Sequence, residues 1–145
     1  MLDAAHDSSD LDEAIAEVLM NIPGGYRPKD LCGGSSSKGG TYRLVDPATG
    51  KTRYVGQTND FARRRIEHAN DPRFQDLRFD IRHRTDNYQA RRGLELRDYN
   101  DLWGDVPIEQ ATAQGSLNGQ RPMSSTNQHY DWRLDLAQQF LDLCL

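Results

Sequence analysis

Three stretches of the chain carry the residue pattern of β-strands. Residues 40 to 46 and 52 to 56 are rich in β-branched and aromatic side chains, and the turn sequence DPATGK lies between them, which predicts a β-hairpin. Apolar and charged residues alternate within residues 77 to 84, which predicts a third strand. A three-residue hairpin loop would put Tyr42 and Tyr54 on the same face of the sheet, whereas a four-residue loop would separate them unless a bulge intervened.

Other stretches carry apolar residues at helical spacing. Asn59 and Asp60 are candidate caps for a helix that follows the hairpin. Phe61, Ala62, Ile66 and Ala69 recur at helical spacing, and the stripe formed by Ala62, Ile66 and Ala69 is the predicted packing face. The remaining predicted elements are helices over residues 1 to 22, about 87 to 103 and about 131 to 143, and a long loop over residues 104 to 128.

These elements predict an α+β fold: a small three-stranded antiparallel sheet flanked by helices, with an N-terminal helical extension and a C-terminal helix. Residues 1 to 22 form the acidic amphipathic extension, residues 23 to 39 are a linker rich in Gly, Ser and Pro, and residues 40 to 145 form the main domain. Cys32 and Cys144 belong to no CxxC or Cys/His cluster and are interpreted as free thiols, with a disulfide between the two tails as the alternative.

Charge is distributed unevenly along the chain. Its 145 residues carry a formal net charge of −4. Residues 41 to 98 hold thirteen basic and nine acidic side chains, and twelve of the thirteen are arginines, whereas both flanking segments are acidic. A basic centre suits a phosphate backbone, although solubility alone also explains such patches. No apolar run reaches the length of a membrane span, and no signal peptide is recognisable, so we expect no membrane partner.

The candidate chemistry begins with Arg64 and His68, which lie four residues apart on one face of the helix after the hairpin. A solvated basic face is an equally good interpretation of these two residues alone. The sequence GTY, ending at Tyr42, precedes YVG, starting at Tyr54, and the arginine and histidine follow at fixed spacing. This arrangement resembles the GIY-YIG nuclease family over roughly residues 40 to 103, which is most of a small nuclease domain.

The resemblance implies roles for these residues. In the family, the two tyrosines share one face of the sheet and line the active site together with the helical arginine and the following histidine or tyrosine. Proton abstraction is assigned there to a tyrosine, which implies Tyr42 as the general base and Tyr54 as its partner in placing the attacking water. His68 is the alternative base, because the ordinary pKa of histidine, about 6.5, suits that role.

The resemblance also implies a metal site. A glutamate on a later helix of the family holds one divalent ion, which implies Glu95 as the ligand of Mg²⁺ or Mn²⁺. Glu95 lies on the same side of its predicted helix as Tyr99, so a carboxylate occupies a partly apolar face. An ion pair with Arg91, one helical turn earlier, is the alternative.

The C-terminal part resembles the tails of GIY-YIG domains found in bacterial polymorphic toxins, such as contact-dependent, Rhs or type VI effectors. An asparagine that follows the metal glutamate is implied to be Asn118, with Asn127 as the second choice. The residues expected to bind nucleic acid are Arg63, Arg65, Arg82 and Arg84.

The expected function is therefore metal-dependent hydrolysis of phosphodiester bonds in nucleic acid, with DNA preferred to RNA. An antibacterial toxin domain is expected to reach the cytoplasm of a target cell through a specialised secretion system and to have a cognate immunity protein. The alternatives are a repair or mobile-element endonuclease and a catalytically inactive nucleic-acid-binding domain.

Overall fold

The computed structural model describes residues 31–32 and 36–145, so the predicted N-terminal helix and most of the predicted linker lie outside the described residues. No helix within those ranges is both long and apolar enough to cross a membrane. The elements, in chain order, are β1 (Gly40–Val45), β2 (Thr52–Thr58), α1 (Phe61–Ala69), β3 (Arg78–Arg84), α2 (Tyr88–Trp103), α3 (Ile108–Ala113) and α4 (Tyr130–Cys144).

The three strands form one antiparallel sheet with the order β2-β1-β3, and helices flank it, which confirms the predicted α+β fold. The first strand is therefore central, because it pairs with both of the others. Asp60 caps α1 by accepting a hydrogen bond from the Arg63 N–H, and Asn87 caps α2 by accepting one from the Ala90 N–H.

The hairpin brings its two tyrosines to one face through the second predicted arrangement, a four-residue loop combined with a bulge. The Asp46 N–H donates to the Lys51 carbonyl, so the loop holds four residues, 47 to 50. A bulge in β2 then shifts the register by one residue. Leu44 consequently lies opposite Tyr54, and Tyr42 lies diagonally across from it on the same face.

The helix α1 packs through a different face from the predicted one. Ala62, Ile66 and Ala69 are exposed, with Ile66 61% accessible, whereas Phe61 and His68 are buried. The predicted stripe is therefore wrong. The surface of the sheet below α1 presents a tyrosine hydroxyl, and a buried hydroxyl needs a polar partner that alanine and isoleucine cannot supply.

The other face of the sheet is covered by α2, whose Tyr99 and Trp103 form an apolar cluster with Val55 of β2. The next layer is α4, which packs against α2 as predicted for the C-terminal helix. The predicted long loop is partly wrong, since it contains the short helix α3, whose Ala111 is fully buried in the same cluster. Six residues are too few to produce a visible helical period.

Cys32 and Cys144 form a disulfide, so the interpretation of free thiols is wrong. Their Cα atoms are 5.3 Å apart. The cause lies in the neighbouring packing, because Leu31 is 1% exposed and belongs to the apolar cluster between α2 and α4. This packing holds Cys32 beside the end of α4, although the two cysteines are 112 positions apart in sequence.

Candidate active site

Tyr42 and His68 form a hydrogen-bonded pair between β1 and α1. The distance from the Tyr42 hydroxyl to His68 Nε2 is 2.7 Å, and both side chains are buried. Burial, followed by the charge of Arg64, lowers the pKa of His68 to about 4, so the imidazole is neutral at pH 7. Burial raises the pKa of Tyr42 well above its ordinary value. In the neutral tautomer that carries its proton on Nδ1, Nε2 accepts a hydrogen bond from the Tyr42 hydroxyl.

Tyr54 completes a compact aromatic cluster around this pair. Its ring centre lies 6.1 Å from that of Tyr42 and 5.3 Å from that of His68. Two phenylalanines enclose the group: Phe74 is 5.1 Å from both Tyr54 and His68, and Phe79 stacks 4.5 Å from Tyr42. The reactive side chains are consequently held in place by packed rings.

Gly56 allows Tyr42 to take this position. It lies directly opposite Tyr42 in the sheet, and a Cβ atom added to it would overlap the tyrosine hydroxyl. The glycine of the YVG sequence therefore has a steric role, since the Tyr42 ring passes across the strand where a side chain would otherwise stand.

Arg64 lies at the electrostatic centre of the site. Its side chain is 28% exposed, and Nη1 is 3.3 Å from Glu67 Oε1 on the same helix. After the larger effect of burial, its positive charge contributes to the pKa of His68 and Glu95 and of both tyrosines, in each case lowering it. One cation therefore acts on the four other titratable groups predicted to line the site.

Glu95, on α2, interacts electrostatically with Tyr42, Tyr54 and Arg64. Its side chain is 15% exposed and lies 4.0 Å from the Nε of Arg92. Burial raises the pKa of this carboxyl to about 7, although Arg92 and Arg64 lower it. Arg91, the alternative ion-pair partner, donates instead to Gln57 Oε1. Glu95 is thus a carboxyl group whose charged form is only partly compensated by the protein.

These residues fit a single hard cation held mainly by water. No group of three or more His, Cys, Asp or Glu side chains that could hold a metal occurs among residues 31–32 and 36–145. Mg²⁺, however, commonly binds through one or two protein carboxylates and keeps several waters. A cation beside Glu95 would favour the ionised form that burial disfavours. Glu95 is accordingly the residue that would hold Mg²⁺ or Mn²⁺.

Asn118 contacts the site indirectly. Its Oδ1 accepts from the Val55 N–H at 3.0 Å, and its Nδ2 donates to the Val55 carbonyl at 2.9 Å. Both amide atoms are thereby used to hold the outer edge of β2 next to Tyr54. We assign Asn118 a positioning role. The second choice, Asn127, accepts from the His129 N–H in an exposed loop.

The arginines predicted to bind nucleic acid have varied surroundings. On α1, Arg63 donates to Asn59 Oδ1 at 2.9 Å, and the exposed Arg65 lies 4.8 Å above the centre of the Phe79 ring.

The two predicted arginines on β3 are engaged within the protein. Arg82 donates to the buried Asp98 at 3.4 Å, and Arg43 of the central strand also pairs with Asp98. Arg84 donates to the Ser37 carbonyl at 3.1 Å. Asp98 therefore partly neutralises this edge of the sheet.

Sequence reasoning missed Arg73 and Phe74, which follow α1 in the turn toward β3. Phe74 is buried in the aromatic cluster, and the guanidinium of Arg73 lies 4.6 Å above the centre of its ring. The only available signal was an Arg-Phe dipeptide just after a predicted turn, which is too short to distinguish from an ordinary loop.

Comparison with protein-family models, with curated proteins and with solved structures finds no match to this chain. The GIY-YIG pattern of Tyr42, Tyr54, Arg64 and His68 is therefore a resemblance in sequence.

Proposed function

We propose that this domain is a metal-dependent endonuclease that hydrolyses phosphodiester bonds in nucleic acid, with DNA as the preferred substrate. The proposal is carried by the convergence of Tyr42, Tyr54, Arg64, His68 and Glu95 from four different elements. Each residue has chemistry that a phosphodiesterase requires: a cation for phosphate, a proton acceptor and a carboxylate for a hard metal ion.

Arg64 binds the oxygens of the scissile phosphate. A guanidinium forms charge-assisted, forked hydrogen bonds with phosphate, and these are stronger than the bonds between neutral groups. The half-buried setting of Arg64 increases this effect, because nearby protein and not bulk water surrounds the charge. The same charge stabilises the additional negative charge that develops on the phosphoryl oxygens in the transition state.

Tyr42 and His68 together remove the proton from the attacking water. As the water oxygen forms its bond to phosphorus, its proton passes to the Tyr42 oxygen, and the hydroxyl proton of Tyr42 passes to His68 Nε2 at 2.7 Å. The phosphorus–oxygen bond to the leaving group breaks, and the leaving oxygen takes a proton from solvent. A bound phosphate raises the low pKa of His68 by its negative charge, so it makes the imidazole a better acceptor.

Glu95 would hold the divalent ion. When bound, Mg²⁺ or Mn²⁺ supplies positive charge that stabilises the phosphate and the leaving oxygen. The partial burial of Glu95 suits this role, because burial disfavours the charged carboxylate and a nearby cation would stabilise it.

We further propose that the chain is an antibacterial toxin domain with a cognate immunity protein. The disulfide between Cys32 and Cys144 supports export, because disulfides form and persist mainly in oxidising compartments. A producing cell requires an inhibitor of a general nuclease, and the basic centre of the chain offers an acidic inhibitor a complementary surface.

A cleavage assay tests the proposal. Purified protein is incubated with plasmid DNA and with RNA, in Mg²⁺ or EDTA, beside Arg64→Ala and Glu95→Ala variants. The matched controls are Arg97→Ala and Glu109→Ala, because both residues lie outside the cluster. We expect cleavage in Mg²⁺ only, with a loss of about 100-fold or more in the two site variants and little change in the controls.

Cleavage that persists in EDTA, or in both site variants, would refute the assignment. If neither nucleic acid is cut but DNA is retained, the domain is the inactive binding domain instead.

A further inference from the structure

Arg73 presents a charged group to solvent in a fixed orientation. Its side chain is 69% exposed, Nε donates to Asp71 Oδ1 at 3.2 Å, and Nη2 donates to Asp71 Oδ2 at 2.9 Å. The guanidinium also lies over the Phe74 ring at 4.6 Å. Two contacts of different kinds therefore hold the plane of this group, which reduces the entropy lost when it binds a ligand.

The Phe74 ring separates Arg73 from the reactive cluster, which consists of Tyr42, Tyr54 and His68. The Phe74 ring that supports the guanidinium lies 5.1 Å from Tyr54 and 5.1 Å from His68. The positive charge of Arg73 consequently lies within roughly 10 Å of the Tyr54 ring. Successive phosphates of one DNA strand advance by about 3.4 Å along the helix axis and also turn around it, so they lie further apart than this rise, and the distance accommodates about one nucleotide step.

The guanidinium keeps donors for a second anion. Arginine has five N–H groups in a planar fork, and Asp71 engages only Nε and Nη2. The two N–H groups of Nη1 are not used by the carboxylate. A phosphate oxygen can therefore bind Arg73 while Asp71 continues to orient it.

We propose that Arg73 binds a phosphate that flanks the scissile phosphate on the same strand. The site then engages at least two phosphates of a polynucleotide, one through Arg64 and one through Arg73. This inference rests on the proposed function, and it defines the substrate as a chain with several phosphates and excludes a small isolated diester as the preferred ligand.

The chain offers a closely matched control. Arg78 on β3 forms the same kind of two-residue pair, donating from Nε and Nη2 to the two oxygens of Asp80 at 2.8 and 2.9 Å. Its side chain is 55% exposed. The two pairs differ in location: of these two arginines, Arg73 is the one that lies over Phe74, next to Tyr54 and His68. A difference between Arg73→Ala and Arg78→Ala therefore reports on position and not on charge alone.

Binding is measured first, independently of catalysis. A fluorescent DNA duplex is titrated with the Glu95→Gln variant in EDTA at several salt concentrations, with and without Arg73→Ala or Arg78→Ala. We expect Arg73→Ala to reduce the slope of log Kd against log salt by about 0.9, the value for one phosphate contact, and Arg78→Ala to leave the slope unchanged. Equal slopes for the two arginine variants would overturn the inference.

Cleavage supplies the second measurement. For a DNA oligonucleotide, Arg73→Ala is expected to raise KM about tenfold and to leave kcat unchanged. For bis(4-nitrophenyl) phosphate, which has one phosphodiester and no flanking phosphate, the variant is expected to match the wild type. An equal loss on both substrates would mean that Arg73 supports the ring cluster only, and would overturn the inference.

The two proposals fail in distinguishable ways. Wild-type protein that neither binds nor cuts nucleic acid would refute the proposed function, and the inference with it. Wild-type protein that cuts nucleic acid while Arg73→Ala behaves like Arg78→Ala in both measurements would refute the inference alone.

Discussion

Glu95 is expected to destabilise the folded protein at neutral and alkaline pH, and Glu95→Gln should remove this effect. Burial raises the pKa of the folded carboxyl to about 7, compared with 4.5 for an unperturbed glutamate. Between these two values, the folded state binds a proton that the unfolded state has released. The free energy of unfolding therefore falls as the pH rises through this window, and the loss is complete once the pH exceeds the folded pKa.

The magnitude follows from the separation of the two pKa values. One pKa unit corresponds to about 1.4 kcal/mol, so the full loss is about 3 kcal/mol, and about 2.5 kcal/mol of it falls between pH 5 and pH 8. The glutamine of Glu95→Gln has a similar shape and no ionisation. The stability difference between this variant and the wild type should therefore shift in favour of the variant by about 2.5 kcal/mol between pH 5 and pH 8.

His68 has the opposite effect, and this makes the variant necessary. Burial lowers the pKa of the folded imidazole from 6.5 to about 4, so the unfolded state binds more protons between these values. The contribution of His68 to stability is therefore fully present above pH 6.5, and it is lost as the pH falls toward 4. The contributions of Glu95 and His68 have opposite signs over overlapping pH ranges. Together, these two residues should therefore change the free energy of unfolding of the wild type little as the pH varies. Each single variant should reveal the contribution of the other residue.

Urea denaturation at half-unit intervals from pH 5 to pH 8 checks this reasoning. Glu95→Gln is compared with the wild type, and Glu109→Gln, at an exposed position of α3, is the control. Adding Mg²⁺ at pH 8 should stabilise the wild type more than Glu95→Gln, because a ligand that binds only the folded state raises its stability. If the stability difference between Glu95→Gln and the wild type is constant across this pH range, the Glu95 carboxyl does not have a raised pKa in the folded protein, and the reasoning is refuted.

Three further changes test individual contacts. Gly56→Ala should displace the Tyr42 ring and reduce activity by about 100-fold, with a stability loss of about 1–3 kcal/mol; Gly119→Ala, which has open space around it, is the control, and full activity of Gly56→Ala would contradict the steric role. Cys32→Ser should lower the free energy of unfolding by about 2–5 kcal/mol in denaturant titrations, and it should abolish the sensitivity of the wild type to dithiothreitol, so a reductant effect that persists would disprove the disulfide. Asn118→Ala leaves a buried backbone N–H and carbonyl of β2 without their partners and should cost about 2–3 kcal/mol in the same titration, whereas a loss of activity at unchanged stability would indicate direct contact with the substrate.

The local part of the site could be predicted because it is short and continuous in sequence. Tyr42, Tyr54, Arg64 and His68 lie on one hairpin and the helix that follows it. Hairpin and helix periods are set by backbone geometry, so spacing alone predicted that the arginine and histidine share a face. The register of the tyrosines does not follow from spacing, since it depends on a bulge in β2 that no residue pattern indicates.

Tertiary contacts determine which face of α1 is buried. Counting apolar residues selected Ala62, Ile66 and Ala69, but the buried face contains His68, because its partner is the Tyr42 hydroxyl on the sheet. A pattern of hydrophobicity assumes that the opposing surface is apolar. Where that surface is polar, hydrogen bonding determines which face is buried.

The sequence by itself determined the order and approximate bounds of the three strands and of α1, α2 and α4, together with the local group of tyrosines, arginine and histidine. Only the tertiary structure decided that Glu95 approaches this group with a raised pKa, that Cys32 meets Cys144, and that Arg73 lies over a ring of the cluster. These contacts join elements that are far apart in the chain, or they depend on the conformation of a loop. They follow from the complementary packing of whole surfaces, which no local period encodes.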